Sequence, residues 1–207
     1  MTPTLYWLAL AWFAYALLHS ALASLAVKEW AAQRWPNFVP WYRLAYNVVA
    51  ALAALPPVWL VYSLEGEWLW RWSGAAAWLA NGLALAALAG ILAASRAYDM
   101  NDFLGLRQAR GRVDRDVFVI SPFHRHVRHP WYFLSLVLIW TRDMNAPLLV
   151  SAGAITLYFV LGSKLEEKKL IAAHGEAYRH YMDRVPGLLP LPWKYLTAAQ
   201  ARQIAGD

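Results

Sequence analysis

Two short polar motifs flank an apolar stretch in the second half of the chain, and they carry the residue types best suited to chemistry. The first is Arg128-His129-Pro130-Trp131-Tyr132, and the second begins with Glu166-Glu167. Charged and polar side chains at the foot of a membrane helix are costly and by default mark a functional site. A guanidinium, an imidazole and two carboxylates together predict a site that holds a polar cofactor at a membrane surface.

The first motif predicts an anion-binding corner. The guanidinium of Arg128 can clamp a carboxylate or a phosphate with two parallel hydrogen bonds, and the alternative is an anchor for lipid headgroups. Because His129 precedes a proline, its backbone is held outside the helical region, so a helix begins at Pro130. The free amide groups of that first turn favour an anion beside Arg128. The alternative is an ordinary helix start.

The second motif predicts a carboxylate pair where a helix leaves the membrane. Glu166 and Glu167 can bind an ammonium group or a ribose diol. The alternative is a solvated pair, in which Glu166 meets Lys169 and Glu167 meets Lys164 three residues away on the helix surface.

The segment after the carboxylates predicts an aromatic helix face. Tyr178 and Tyr181 share this face with His174, one turn earlier, and Pro186 follows the helix end. The face either packs beneath the membrane helices or covers an adenine ring.

Further polar residues lie elsewhere along the chain. Asp99, Asn101 and Asp102 follow an apolar run, and they either cap a helix end or join the site. His19 and Ser20 interrupt the first apolar run, which places them inside the helix bundle or in a hydrogen bond between helices.

Three histidines lie close together before the first motif, at positions 124, 126 and 129. Their spacing does not match a ligand pair four residues apart on a helix, and no carboxylate lies nearby in sequence. We therefore predict no metal site.

The composition is that of an integral membrane protein. Of the 207 residues, 60% are hydrophobic, and the mean hydropathy is +0.32. The absence of cysteine excludes disulfides, iron–sulfur clusters and cysteine nucleophiles. The basic residues form no stripe interleaved with stacking aromatics, so no nucleic-acid partner is predicted. Membrane lipids are the expected surroundings.

Hydropathy predicts an all-α protein with about five membrane-spanning helices, a C-terminal helical hairpin and a cytoplasmic cap. We expect a single domain over residues 1–207 and a cytoplasmic tail helix over 165–184. The segment 131–144 is short for a membrane span, and it could instead form a re-entrant or interfacial element. The predicted spans are 4–27, 41–63, 74–95, 131–144 and 147–163.

The distribution of basic residues orients the chain. Seventeen of the 19 Lys and Arg residues fall in the loops that share one side, and only Arg71 and Arg142 fall on the other. The positive-inside rule then predicts an outer N-terminus and a cytoplasmic C-terminus, with both polar motifs facing the cytoplasm. A bacterial inner membrane is the expected location.

The motifs also occur together in a known group. Arg-His-Pro-x-Tyr, an apolar hairpin, Glu-Glu, Gly-x-x-Tyr-x-x-Tyr and Arg-Val-Pro follow in order over about 123–190. This set resembles the integral-membrane S-adenosylmethionine-dependent methyltransferases, which include isoprenylcysteine carboxyl and phospholipid methyltransferases. The Phe-Leu-Gly-Leu-Arg-Gln segment at 103–108 is more similar to the bacterial methanethiol S-methyltransferase branch.

The resemblance implies S-adenosyl-L-methionine as cofactor and a small thiol or a lipid-like group as methyl acceptor. It implies Arg128, His129 and Glu167 as catalytic residues. The family usually has glycine where this chain has Leu134, which implies a change in cofactor approach or acceptor size. The implied cofactor pocket comprises Arg128, His129, Pro130, Tyr132, Glu166, Glu167, Tyr178, Tyr181 and Pro186.

Three other functions stay open at this stage. One is a carboxyl or phospholipid methyltransferase. Another is a redox protein that binds haem or quinone through His19 and the loop histidines. The third is a non-catalytic membrane subunit, which the leucine at position 134 would allow.

Overall fold

A computed structural model describes residues 3–112 and 118–205, and helices dominate these residues. Arg115, one of the predicted cytoplasmic basic residues, lies outside the described residues. Short 3-10 turns occur at Pro36–Phe38 and Phe123–Arg125. The elements are α1 (Pro3–Ala23), α2 (Leu25–Arg34), α3 (Val39–Ser63), β1 (Trp68–Trp70), α4 (Gly74–Ser95), α5 (Met100–Leu104), α6 (Leu106–Ala109), α7 (Pro130–Trp140), β2 (Met144–Asn145), α8 (Ala146–Arg184) and α9 (Ala198–Ala205).

Four of these helices, α1, α3, α4 and α8, are long and apolar enough to cross a membrane. The all-α membrane class is therefore confirmed. Helix α7 has 11 residues and rises about 16 Å, roughly half of a hydrocarbon core about 30 Å thick. The fifth span and the orientation of the chain stay predictions.

The predicted first span is shorter than expected because the helix breaks at Ser24. This residue has an extended backbone, and its side chain accepts a hydrogen bond from the amide of Val27. A serine cap of this kind satisfies one of the free amide groups at the start of α2.

The described residues fall into two compact units. The first contains α1 to α3, the β1–β2 pair, α5, α6 and the start of α8. The second contains α4, residues 118–142 and residues 156–205. Both polar motifs belong to the second unit. The single-domain organisation stays a prediction.

The hairpin turn between α7 and α8 is built differently from a simple helical loop. Met144 and Asn145 pair antiparallel with Trp68–Trp70, a strand that the sequence did not indicate. The side chain of Asn145 accepts a hydrogen bond from the amide of Leu148 and so caps α8. At Gly66 an added Cβ would lie 2.5 Å from the Pro147 ring, so this approach requires glycine.

Helix α8 has 39 residues, and its regular part before Gly175 rises about 44 Å, which exceeds the roughly 30 Å of a hydrocarbon core. Its apolar part ends before Lys164, so the two carboxylates lie beyond the apolar segment. The predicted tail helix over 165–184 is thus the continuation of the second hairpin arm. Gly175 interrupts the regular helix with φ of +55°, a conformation that glycine adopts at little cost.

Candidate functional site

The start of α7 and the polar part of α8 bring the two motifs together. His129 has φ of −121° and ψ of 70°, and α7 begins at Pro130. The predicted helix start is therefore confirmed. Arg128 and His129 lie opposite Glu166 and Glu167 in a compact ionic cluster. His129 and Glu167 lie 38 positions apart in sequence, yet the structure brings the two motifs together.

Glu167 is the centre of this cluster. Its Oε1 atom accepts a hydrogen bond from Nε of Arg128 at 2.8 Å, and it forms an ion pair with Nη2 of the same guanidinium at 2.7 Å. Nε2 of His129 lies 3.1 Å from the same oxygen. The residue is only 8% exposed. The alternative of a solvated ion pair between Glu167 and Lys164 is therefore wrong, because buried carboxylates require such partners.

The remaining donors of Arg128 face the end of α8. Its Nη1 atom donates to the carbonyl oxygen of Met182 at 3.1 Å and also to that of Val185. Met182 lies in the last turn of α8 and Val185 directly follows its end, where no intrahelical donor is available. Arg128 thus joins the carboxylate to the helix terminus, and the ligand clamp expected from the sequence stays a prediction.

His129 bridges the two carboxylates. Its Nδ1 atom lies 3.5 Å from Oε2 of Glu166, while Nε2 faces Glu167. Burial alone would lower the pKa of His129, but both carboxylates stabilise the charged ring, and the pKa is raised above its usual value. The imidazolium form is thus favoured in the folded protein.

The pKa values of the two carboxylates shift in the opposite direction to that of His129. Burial would raise the pKa of Glu167, but the hydrogen bonds from His129 and Arg128 outweigh it and lower the pKa. For Glu166, burial is likewise outweighed by His129, with a smaller contribution from Tyr132, so the pKa is lowered. Both groups therefore stay ionised. The side chain of Glu166 is 48% exposed, so this carboxylate is the accessible one.

Tyr132 joins the cluster to the apolar part of α8. Its hydroxyl donates to Oε2 of Glu166 at 3.1 Å. Its ring stacks on His129 with centroids 5.2 Å apart, and on Phe159 with centroids 4.5 Å apart. The three rings are nearly parallel, which fixes the orientation of the imidazole.

The chain after α8 clasps the first motif. The amide of Arg128 donates to Pro186 O at 2.9 Å, and the amide of His129 donates to Gly187 O at 3.1 Å. An added Cβ at Gly187 would lie 3.3 Å from Nη2 of Arg128. We call the stretch Pro186–Gly187 the clasp. A larger residue at position 187 would have to push the guanidinium aside by a few tenths of an ångström.

Tyr178 and Tyr181 form the packing face that the sequence left open. Both are buried, and they form a core with Val185. Phe118 contacts both tyrosine rings edge to face. The hydroxyl of Tyr181 donates to the carbonyl oxygen of His124 at 2.7 Å. Their position beneath the ionic cluster supports a framing role, and direct cofactor contact stays a prediction.

The acidic residues after α4 cap a helix in the first unit. The side chain of Asp99 accepts from the amides of Asn101 and Asp102, and it also pairs with Arg107 at 3.0 Å. Asp102 pairs with Arg43 at 3.2 Å. Asp99 therefore caps the start of α5 and not the end of α4, which was the cap expected from the sequence.

His19 makes the hydrogen bond between helices that the sequence analysis considered. Its Nε2 atom lies 2.7 Å from the hydroxyl of Tyr46 on α3. Its ring also lies beside Tyr15, with centroids 5.6 Å apart.

The loop histidines contact different partners. Nδ1 of His124 lies 2.7 Å from the Ser121 hydroxyl, and burial lowers the pKa of His124 to about 4. His126 stacks on Tyr195. Over residues 3–112 and 118–205, no three His, Asp or Glu side chains are grouped to hold a metal ion.

Leu134 fills a notch on α4. An added Cβ at Gly90 would lie 3.1 Å from both terminal methyl groups of Leu134. The leucine therefore occupies space that a glycine on the neighbouring helix leaves free. The expected change in cofactor approach or acceptor size stays a prediction.

Two contributors to the site were missed by sequence reasoning. Phe159 lies seven residues before Glu166, hence on the same helix face, and this spacing was a usable signal. Gly187 follows Arg184-Val185-Pro186 directly, but nothing in the sequence indicates that a guanidinium packs against it.

Several known proteins are similar to this chain over most of its length. Methanethiol S-methyltransferase 2 of Bradyrhizobium diazoefficiens is 33% identical, over 85% of this chain and 69% of its own. The methanethiol S-methyltransferase of Mycobacterium tuberculosis is 32% identical, over 87% and 76%. That of Crocosphaera subtropica is 31% identical, over 85% and 71%. No protein-family model and no solved structure matches the chain.

Proposed function

Because the chain belongs to the methanethiol S-methyltransferase family, we propose that it methylates a small thiol such as methanethiol, with S-adenosyl-L-methionine as donor. The observation that supports a site for this chemistry is the buried cluster of Arg128, His129 and Glu167, with the accessible Glu166 beside it. The family identity also makes the haem, quinone and non-catalytic alternatives unnecessary.

The donor set of the cluster fits this cofactor. The half-exposed Glu166 carboxylate has the chemistry to accept hydrogen bonds from an ammonium group or a ribose diol. Aromatic rings beside carboxylates suit a sulfonium, because cations are attracted to ring faces and to anions. We assign Glu166 and Tyr132 to direct contact. Arg128, His129 and Glu167 hold them in place, and Pro130, Tyr178, Tyr181 and Pro186 form the frame.

When bound, S-adenosylmethionine supplies an electrophilic methyl group on a positively charged sulfur. The attacking thiol sulfur forms a new bond to carbon as the old sulfur–carbon bond breaks in line with it. Positioning of the two groups accounts for much of the acceleration in such a reaction. The buried ionic cluster supplies that positioning, because each of its side chains is fixed by more than one partner.

The thiol proton must also leave. His129 is unsuited to accept it, because its raised pKa keeps the ring protonated. The lowered pKa of Glu166 makes its carboxylate a weak base, so we assign this role to water, which reaches the half-exposed side of the cluster. The same water access lets the cofactor enter from the polar side, while an apolar thiol enters from the lipid side.

We further propose that the cluster faces the cytoplasm of a bacterial inner membrane, as the basic residues indicate. The chain lacks cysteine, so single cysteines report topology directly. In intact cells, an impermeant thiol reagent should leave Arg112→Cys unlabelled and should label Arg71→Cys. Labelling of Arg112→Cys alone would reverse the orientation.

Calorimetry with S-adenosylmethionine and with its demethylated product tests the cofactor assignment. We expect both to bind the purified protein in lipid nanodiscs. Binding should be lost in Glu166→Gln, while the fold, measured by circular dichroism, is kept. A protein that binds neither compound would contradict the proposal. Methylation of farnesylcysteine without any methylation of small thiols would instead indicate the carboxyl methyltransferase alternative.

A further inference from the structure

The chain between the clasp and α9 carries an exposed apolar tip. Residues 188–195 form what we call the tail turn. Trp193 is 78% exposed, Leu189 is 63% exposed and Tyr195 is 51% exposed. With most of its side chain exposed, Trp193 contributes little to packing within the described part of the second unit. Large exposed aromatic and aliphatic side chains grouped in one short segment mark an interaction surface.

The tail turn is held rigidly at both of its ends. On one side, the clasp accepts hydrogen bonds from the amides of Arg128 and His129. On the other side, the amide of Leu196 donates to the carbonyl oxygen of Arg125 at 2.9 Å, and Leu196 is buried in the core below the site. Within the turn, Lys194 N donates to Leu191 O at 3.0 Å. The apolar tip is therefore presented by an ordered segment.

Both attachment points lie on the same short stretch of chain. Residues 125–129 receive the two ends of the tail turn, and α7 begins directly after them at Pro130. Helix α7 is apolar apart from Ser135 and the hydroxyl of Tyr132. Residues 125–129 thus lie where the chain passes from polar surroundings to apolar ones, which in a membrane protein is the headgroup level.

The composition of the tip fits that level. Tryptophan and tyrosine concentrate at membrane–water interfaces, where an apolar ring and a polar atom are both accommodated. Lys194 lies beside Trp193 in the same turn, and its ammonium group suits lipid phosphates. We propose that the tail turn inserts Trp193 and Leu189 into the headgroup region of the membrane that the protein occupies.

This docking has a consequence for the ionic cluster. Because the clasp is continuous with the tail turn, lipid contact at Trp193 holds the backbone on which Arg128 and His129 rest. The proposal does not depend on the chemistry assigned to the cluster.

Depth-dependent quenching tests the docking. Trp193→Cys and Leu189→Cys, each the single cysteine of the full chain, are labelled with an environment-sensitive fluorophore in lipid nanodiscs. The matched control is Gln203→Cys on α9, which is also exposed. We expect blue-shifted emission at 193 and 189, and quenching by lipids spin-labelled near the headgroup that is several-fold stronger than at 203.

Two results would overturn the proposal. Emission typical of water at both positions, with quenching no stronger than at 203, would place the tail turn in solvent. Blue-shifted emission without lipid quenching would show that protein covers the tip. Monodisperse elution and an unchanged circular dichroism spectrum establish that each variant is folded. If one variant fails to fold, the other labelled position tests the proposal.

Discussion

Arg128 donates from Nε to Oε1 of Glu167 at 2.8 Å, and its Nη2 atom lies 2.7 Å from the same oxygen. The pair is largely buried, and it joins the start of α7 to the polar half of α8. In such a pair, loss of one member leaves an uncompensated charge, which is worse than loss of both. This relationship makes the two residues one structural unit.

A double-mutant cycle tests that unit. Arg128→Ala and Glu167→Ala should each lower the free energy of unfolding by about 3–5 kcal/mol, and the double variant by much less than their sum. Titration with a denaturing detergent measures this. The exposed pair of Glu176 and Arg179, 3.3 Å apart, is the control, and its cycle should show a coupling below about 1 kcal/mol. Equal coupling in the two cycles would contradict the assignment.

The clasp predicts a specific effect at Gly187. A methyl group added there would lie 3.3 Å from Nη2 of Arg128 and would displace the guanidinium. Gly187→Ala should therefore weaken cofactor binding and lower the thermal midpoint. Gly82→Ala on α4 meets no atom within 4 Å and should be neutral or slightly stabilising, by up to about 1 kcal/mol, because alanine favours the helix. Thermal scans that rank the two variants alike would argue against the close contact.

The pH dependence of stability follows from the cluster. His129 has a raised pKa, so its contribution is complete below its unfolded pKa and is lost as pH rises through the folded value. Glu166 and Glu167 have lowered pKa values, so their contribution is present above their unfolded pKa and is lost as pH falls through the folded values. Wild type should exceed His129→Gln in thermal midpoint most between about pH 4.3 and 6.5. A difference that is constant from acid to alkaline pH would show that His129 is not ionised in the fold.

Leu134 packs into the space that Gly90 leaves free. Substitutions that change the side-chain volume at these two positions test this packing. Gly90→Ala should destabilise the protein, because its methyl group meets the leucine at 3.1 Å, by about 1–3 kcal/mol. Adding Leu134→Ala should recover part of this loss. If Leu134 instead limits the acceptor, Leu134→Ala alone should change the ratio of kcat/KM for ethanethiol over methanethiol, which a headspace assay of both products measures.

The sequence predicted those features that depend on local chemistry. Helix α4 has the predicted bounds of 74–95, because an unbroken apolar run lies between a turn and a charged loop. Pro130 starts α7 as expected, because proline fixes its own backbone and that of His129. Hydropathy likewise identified the membrane class.

Features that depend on contacts between residues far apart in the chain could not be predicted from the sequence. The carboxylate that Arg128 meets lies 39 residues away, and no local pattern decides between it and a lysine three residues from Glu167. The pairing of Trp68–Trp70 with Met144–Asn145 joins two loops of unremarkable composition. The burial of Tyr178 depends on Phe118, which comes from a different part of the chain.

Transfer of an isotopically marked methyl group is the decisive test of thiol methylation by this protein. Purified protein in nanodiscs receives S-adenosylmethionine with a trideuterated methyl group together with methanethiol, and the headspace is analysed by mass spectrometry. The account predicts dimethyl sulfide carrying one deuterated methyl group for the wild type, and a loss of about 10- to 100-fold in Glu167→Gln, the cost of one charge-assisted contact. Absence of the marked product from folded wild-type protein would contradict it.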